Sequence, residues 1–89
     1  MTTLITLYTK DYCPYCKRAK ALLTLKGVTF KNIEITNDPE ATQDMIEKSG
    51  RFTVPQIFIG ERHIGGSDDL FKLEATGELD PLLKPLLVA

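Results

Sequence analysis

The stretch that decides the fold is Leu4-Ile5-Thr6-Leu7-Tyr8-Thr9, followed after Lys10-Asp11-Tyr12 by Cys13-Pro14-Tyr15-Cys16. The first run is β-branched and aromatic with little alternation, the pattern of a strand buried on both faces in the middle of a sheet. Pro14 stands where a helix would open, since proline suits the first helical position and its missing N–H is unpaired there anyway. Cys16, Ala19, Leu22, Leu23 and Lys26 then recur at helical spacing, and Gly27 supplies a C-terminal stop. A strand feeding a helix, with a dithiol at the join, is the expectation.

Working outward, the next strand is expected over about Val28 to Ile35. Its alternation slips between Phe30 and Ile33, which predicts a short or bulged strand near an edge. Asp38-Pro39 reads as an N-cap followed by proline at the first helical position, and Glu40 suits the positive helix end. That helix carries Ala41, Met45 and Ile46 inward and stops at Gly50. Pro55-Gln56-Ile57-Phe58-Ile59 is a third strand, turned at Gly60-Glu61-Arg62 into a short partner at His63-Ile64. After Gly65-Gly66, Ser67 or Asp68 caps a third helix through Leu70, Phe71, Leu73 and Ala75, ended by Gly77. Asp80-Pro81 opens a last short turn that Pro85 keeps from growing long. The order β-α-β-α-β-β-α begins with a right-handed parallel unit and ends with a hairpin. The expected fold class is therefore α/β: one mixed four-stranded sheet with helices on both faces, in a single domain over residues 1–89.

Bulk composition narrows the function. The chain has 89 residues, 43% hydrophobic and 26% charged, an ordinary globular balance that argues against disorder. A formal net charge of −1 argues against broad nucleic-acid binding, which needs a basic face. The opening residues lack a basic leader, and no stretch approaches the length that crosses a bilayer. A cytoplasmic protein is expected, with neither nucleic acid nor membrane as partner.

Both cysteines lie within Cys13 to Cys16, so they do not form a disulfide framework of the kind small secreted domains use. A bond closing so small a loop contributes only about 2 kcal/mol by chain entropy, so redox chemistry is the better reading. Placed at the helix N-cap, Cys13 meets unpaired N–H groups and the positive end of the macrodipole, which favour a thiolate. Cysteines three apart on a helical turn lie on one side with Cα atoms about 5 to 6 Å apart, within disulfide range. Cys16 heads the stripe Ala19-Leu22-Leu23 and should be buried, while Cys13 sits at the tip. Lys10, Lys17 and Arg18 can add positive potential. For thiols at such sites, a lower basicity offsets the larger thiolate fraction in attack, so the main gain is in leaving. A zinc site needs about four ligands, and the sequence offers one Cys pair and the single His63, with no second pair.

Two further segments complete a candidate site. Thr53-Val54-Pro55 precedes an apolar strand. A cis Val54-Pro55 bond would free Val54 backbone groups for an extended thiol peptide, and a plain strand-initiating proline is the equal alternative. Gly65-Gly66-Ser67-Asp68-Asp69 opens a helix whose N-terminus suits a carboxylate, with acidic side chains for an ammonium group. An ordinary capped turn accounts for that segment alone.

Lys10 with Cys13-Pro14-Tyr15-Cys16, then Thr53-Val54-Pro55-Gln56-Ile57-Phe58, then Gly65-Gly66-Ser67-Asp68-Asp69-Leu70, together resemble a dithiol glutaredoxin of the small bacterial type. The resemblance covers nearly the whole chain. It implies a thioredoxin-like fold with cis Pro55, and a monomer that binds glutathione as electron donor with no permanent cofactor. By it, Cys13 accepts glutathione and Cys16 resolves the mixed disulfide. Lys10 and Tyr15 flank the tripeptide, Thr53 and Val54 with Pro55 hold its cysteinyl part, and Gly66, Ser67 and Asp68 take the γ-glutamyl head. Arg51 reaches toward the glycyl carboxylate. Several relatives carry a further cysteine where this chain has Ser67, and its absence removes a site of side oxidation.

The resemblance thus implies glutathione-dependent reduction of protein disulfides and of glutathione–protein mixed disulfides, with ribonucleotide reductase as a client by analogy. Service by a thioredoxin reductase is an alternative, against which Lys10 and the Gly65–Asp69 segment weigh. A dimer bridging a [2Fe–2S] cluster is another, which Pro14 disfavours.

Overall fold

The computed structural model describes residues 5–87. The chain order is β1 (Ile5–Thr9), α1 (Pro14–Leu25), β2 (Lys31–Glu34), α2 (Pro39–Ser49), β3 (Gln56–Ile59), β4 (Arg62–Gly65), α3 (Ser67–Thr76) and α4 (Leu79–Leu87). The four strands form one sheet in the order β2-β1-β3-β4, with β1 parallel to β2 and antiparallel to β3. Leu4, expected to begin β1, lies outside the described residues.

Alternation along the strands splits the core in two. Ile5, Leu7, Ile57 and Ile59 face one side, where Ala19, Leu22 and Leu23 of α1, Leu70 of α3, and Leu79 and Leu83 of α4 close over them. Tyr8 and Phe58 face the other side, packed with Ile35 and Met45. β1 and β3 are buried on both faces, which is why their sequences do not alternate cleanly. The α2 side is the thinner layer. Tyr8 donates its hydroxyl to Asp44 Oδ2 at 2.6 Å, and Lys48 Nζ lies 3.2 Å from the same oxygen. A hollow of about 340 Å³ bounded by Thr6, Tyr8, Phe58 and Lys48 remains beside them.

Four expectations change in detail. β2 is short and lies at an edge as read, but it spans only Lys31–Glu34 of the expected Val28 to Ile35; an irregular register falls instead between Ile57 and Phe58, opposite β4. β4 is longer than His63-Ile64, running from Arg62 to Gly65. α3 is capped by Gly66, so Ser67 is its first helical residue and not its cap. The last segment is a nine-residue helix that passes through Pro85. Burial of Leu79 and Leu83 against the main core outweighs the single hydrogen bond that proline removes. Asp38 caps α2 by accepting from Ala41 N–H at 3.0 Å, and Gly50 ends it in the left-handed region, both as read. No helix among the described residues is long and apolar enough to cross a membrane.

Candidate active site

The site is built at the end of β1. After Thr9 the chain turns, the Cys13 N–H donates to the Lys10 carbonyl at 3.4 Å, and Cys13 takes an extended conformation as N-cap of α1 (φ −89°, ψ 112°). Pro14 follows at the first helical position. The Cys16 N–H donates to Cys13 Sγ at 3.2 Å, so the sulfur itself caps the helix. That N–H is one of the unpaired donors of a helix start, and it stabilises negative charge on the sulfur.

The two thiols are unequal. Cys13 is half-buried, whereas Cys16 is fully enclosed beneath the helix. Burial first, and then the neighbouring Cys13 sulfur, push the Cys16 thiol up to about 12. Cys16 is therefore a protonated thiol at neutral pH, held in reserve behind the accessible sulfur. Of the cations close in sequence, Arg18 lies over the Phe71 ring, 5.7 Å from its centroid.

Val54 reaches the dithiol from 41 positions along the chain: the Cys13 thiol donates to the Val54 carbonyl at 3.9 Å. The Val54–Pro55 peptide is cis. Antiparallel pairing makes this meeting possible, because Tyr8 stands opposite Gln56 and the start of β3 therefore lies beside the end of β1.

Gln56 stands within one of the sequence motifs, but motif reading gave it no role. It is fully buried, and its Nε2 donates to the Thr53 carbonyl at 3.0 Å and to the Thr53 hydroxyl at 3.1 Å. Its Oε1 lies 2.7 Å from His63 Nε2. Because the amide nitrogen serves Thr53, the oxygen must accept, which assigns the proton to Nε2 of His63. His63 stacks on Phe58 at a centroid distance of 4.9 Å. Burial, and then the Arg51 charge, lower its pKa, which keeps the ring neutral at pH 7. The available signal was a polar residue inside the otherwise apolar strand Ile57-Phe58-Ile59, since a buried amide needs partners.

From Val54 an open groove of about 210 Å³ runs between Thr53-Val54-Pro55 and the start of α3. Tyr15, Thr53, Val54, Pro55, Gly66, Ser67 and Asp68 all line it, so the structure brings these sequence-selected residues together. Lys10 is exposed in the β1–α1 loop and is absent from that lining. Arg51 and Asp69 join it. Asp69 Oδ2 accepts from the Gly66 N–H at 2.9 Å and faces Arg51 Nη1 at 3.1 Å. The Gly66 N–H, followed by Arg51, holds the Asp69 carboxyl below the usual carboxylate range. Asp68 is exposed. The groove thus offers backbone groups, an acidic side chain and a guanidinium within reach of one reactive sulfur.

A helix-capping thiol, a buried partner thiol and a cis proline facing them, on this mixed sheet, define a thioredoxin-like thiol–disulfide oxidoreductase. The family model for glutaredoxin matches residues 5–64, and the chain belongs to the glutaredoxin family. It is 58% identical over 80 residues to Glutaredoxin 3 of Escherichia coli strain K12, spanning 90% of this chain and 96% of that protein. It is 52% identical over 79 residues to a glutaredoxin of Pseudomonas aeruginosa, spanning 89% and 94%. Among solved structures, a buckwheat glutaredoxin–glutathione complex superposes with a TM-score of 0.83 at 32% identity, covering 92% of this chain and 77% of that one. The glutaredoxin of Brucella melitensis superposes with a TM-score of 0.81 at 52% identity, covering 94% and 91%.

Proposed function

We propose that this glutaredoxin uses glutathione to reduce protein disulfides through Cys13 and Cys16, and glutathione–protein mixed disulfides through Cys13 alone. The observation that carries the reading is the polar groove that starts at Val54, 3.9 Å from Cys13 Sγ. The likeness to a glutaredoxin crystallised with glutathione supports it.

In the monothiol route, the Cys13 thiolate attacks the glutathione sulfur of a protein–glutathione disulfide. The client leaves as a thiolate, and Cys13 carries glutathione. A second glutathione thiolate then attacks the bound glutathione sulfur, which releases oxidised glutathione and restores Cys13. In the dithiol route, Cys13 attacks a client disulfide and Cys16 displaces the client from Cys13. The proton of Cys16 goes to the departing thiolate. Two glutathione molecules then reduce the Cys13–Cys16 bond.

In this reading Thr53 and Val54, with Pro55, hold the cysteinyl part of glutathione by backbone pairing. Gly66, Ser67 and Asp68 take its γ-glutamyl head, while Lys10 and Tyr15 flank the chain. Clients are protein disulfides, and the setting is the reducing cytoplasm. The test is turnover of a glutathione mixed disulfide coupled to glutathione reductase. Cys13→Ser is expected to abolish it, and Cys16→Ser to keep it while losing reduction of protein disulfides. An active Cys13→Ser protein would remove Cys13 from the nucleophile role.

A further inference from the structure

One buried amide serves Thr53 at two points, since Gln56 Nε2 lies 3.0 Å from the Thr53 carbonyl and 3.1 Å from its hydroxyl. Thr53 itself is exposed and lines the groove that starts at Val54. A carbonyl oxygen only accepts, so the edge of Gln56 that faces Thr53 is its nitrogen. The other edge, Oε1, meets His63 Nε2 at 2.7 Å, and only a proton on that ring nitrogen makes so close a contact favourable. The ring is set for this by its place on β4, where His63 pairs with Phe58 and stacks on it at 4.9 Å.

The direction of these bonds matters, because an amide turned over keeps its shape and exchanges donor for acceptor. In the observed direction the Thr53 hydroxyl accepts from Gln56, so its own proton is left for an acceptor in the groove. In the reversed direction the hydroxyl would give its proton inward to Oε1 and offer the groove only lone pairs. The Thr53 carbonyl would then face Oε1 with no proton between them. His63 decides between the two. With its proton on Nε2 the ring holds Oε1; with its proton on Nδ1 it would hold the amide nitrogen instead.

We propose that His63 is a positioning residue for thiol exchange at Cys13: its Nε2–H fixes the Gln56 amide so that the Thr53 hydroxyl donates into the groove. The groove edge so formed selects disulfides that bring an acceptor oxygen, a carbonyl or a carboxylate, beside the reacting sulfur. The proposal rests on the reading that the groove holds glutathione, and it adds the residue that sets the sign of one groove wall. A network that only stiffened the fold would favour no disulfide over another.

The test has a spectroscopic and a kinetic arm, both on the full chain. In reduced, 15N-labelled wild type at neutral pH, two-bond nitrogen–proton couplings are expected to place the His63 proton on Nε2. A proton on Nδ1 overturns the proposal whatever the variants do. The kinetic arm measures single-turnover oxidation of the reduced protein by glutathione disulfide and by cystamine, which carries two ammonium groups and no oxygen. His63→Phe keeps a ring on Phe58 and removes the donor; its second-order rate constant with glutathione disulfide is expected to fall about fivefold, the worth of one hydrogen bond. With cystamine it should stay within about twofold, because no acceptor is there to lose a bond. His63→Gln, whose amide nitrogen can stand where Nε2 stood, should recover the rate with glutathione disulfide. An equal fall on both disulfides in His63→Phe overturns the proposal, as does an unchanged rate with glutathione disulfide or a glutamine no better than phenylalanine. Wild type reacting with glutathione disulfide no faster than with cystamine overturns the glutathione reading itself, so the two failures are distinguishable.

Discussion

Gln56 holds Thr53 twice, through its carbonyl at 3.0 Å and its hydroxyl at 3.1 Å, from a side chain with no exposed surface. Because Gln56 is paired with Tyr8 in the sheet, these bonds tie the segment before the cis proline to the rigid centre of the fold. Gln56→Leu strands the His63 N–H and the Thr53 carbonyl. Leaving such groups unpaired costs about 1 to 3 kcal/mol, and each kcal/mol lowers Tm by roughly 4 to 8 °C in a domain of this size. KM for the glutathione mixed disulfide is expected to rise several-fold with kcat nearly unchanged, because the tip of α1 is untouched. Calorimetry and steady-state kinetics check both, and an unaltered Tm would show that Gln56 does not anchor the segment.

Gly65 has a φ of +119°, and a Cβ there would run into the Asp69 carboxylate. Gly65→Ala therefore imposes strain and pushes Asp69 off the Gly66 N–H, for an expected loss of about 1 to 3 kcal/mol. Asp69→Asn should cost less than about 1 kcal/mol, since the half-exposed pair with Arg51 contributes little and the amide oxygen can still accept from Gly66. The depressed Asp69 carboxyl adds stability above about pH 4 that disappears as pH falls through its lowered folded value. Asp69→Asn should remove that part of the acid sensitivity. Urea titrations rank the two variants; Asn proving worse than Ala would refute the arrangement.

Cys16 has its thiol raised from 9.0 to about 12, so the folded protein keeps a proton that the unfolded chain gives up. Stability from this group is complete below about pH 9 and falls between there and the folded value, by up to about 1.4 kcal/mol per pH unit. The midpoint of urea unfolding in reduced protein is expected to drop over that range more steeply than in Cys16→Ala. Parallel curves for the two proteins would contradict the burial of this thiol.

The elements were legible because local chemistry specifies them. Asp38-Pro39 before α2, Gly50 after it and Pro14 at the start of α1 each act within one turn, and the structure keeps all three. What local pattern misreads is settled by packing. Pro85 says stop, but Leu79 and Leu83 find a place in the main core and α4 continues. Ser67 looks like a cap, but Gly66 takes the position while the Asp69 carboxylate receives the Gly66 N–H. The stacking of Arg18 on Phe71 of α3 likewise has no local signal, since it joins two helices far apart in the chain. Most of the candidate site was legible as motifs, yet the contact of Cys13 with Val54 was not, since strand order and register create it. The Thr53–Gln56–His63 chain stayed hidden for the same reason, as it joins β3 to β4.

The register of β1 against β3 also gives the protein two unlike poles. Tyr8 and Gln56 mark the reactive one, while Ile5 pairs with Ile59 at the opposite one, where the chain reverses at Gly60-Glu61. The two poles are separated by the run of the strand, about 10 Å at 3.3 Å per residue. The reversal is thus a natural handle. A spacer entering after Gly60, whether for fusion to a second protein or for attachment to an electrode, sits at the pole away from the Cys13 sulfur.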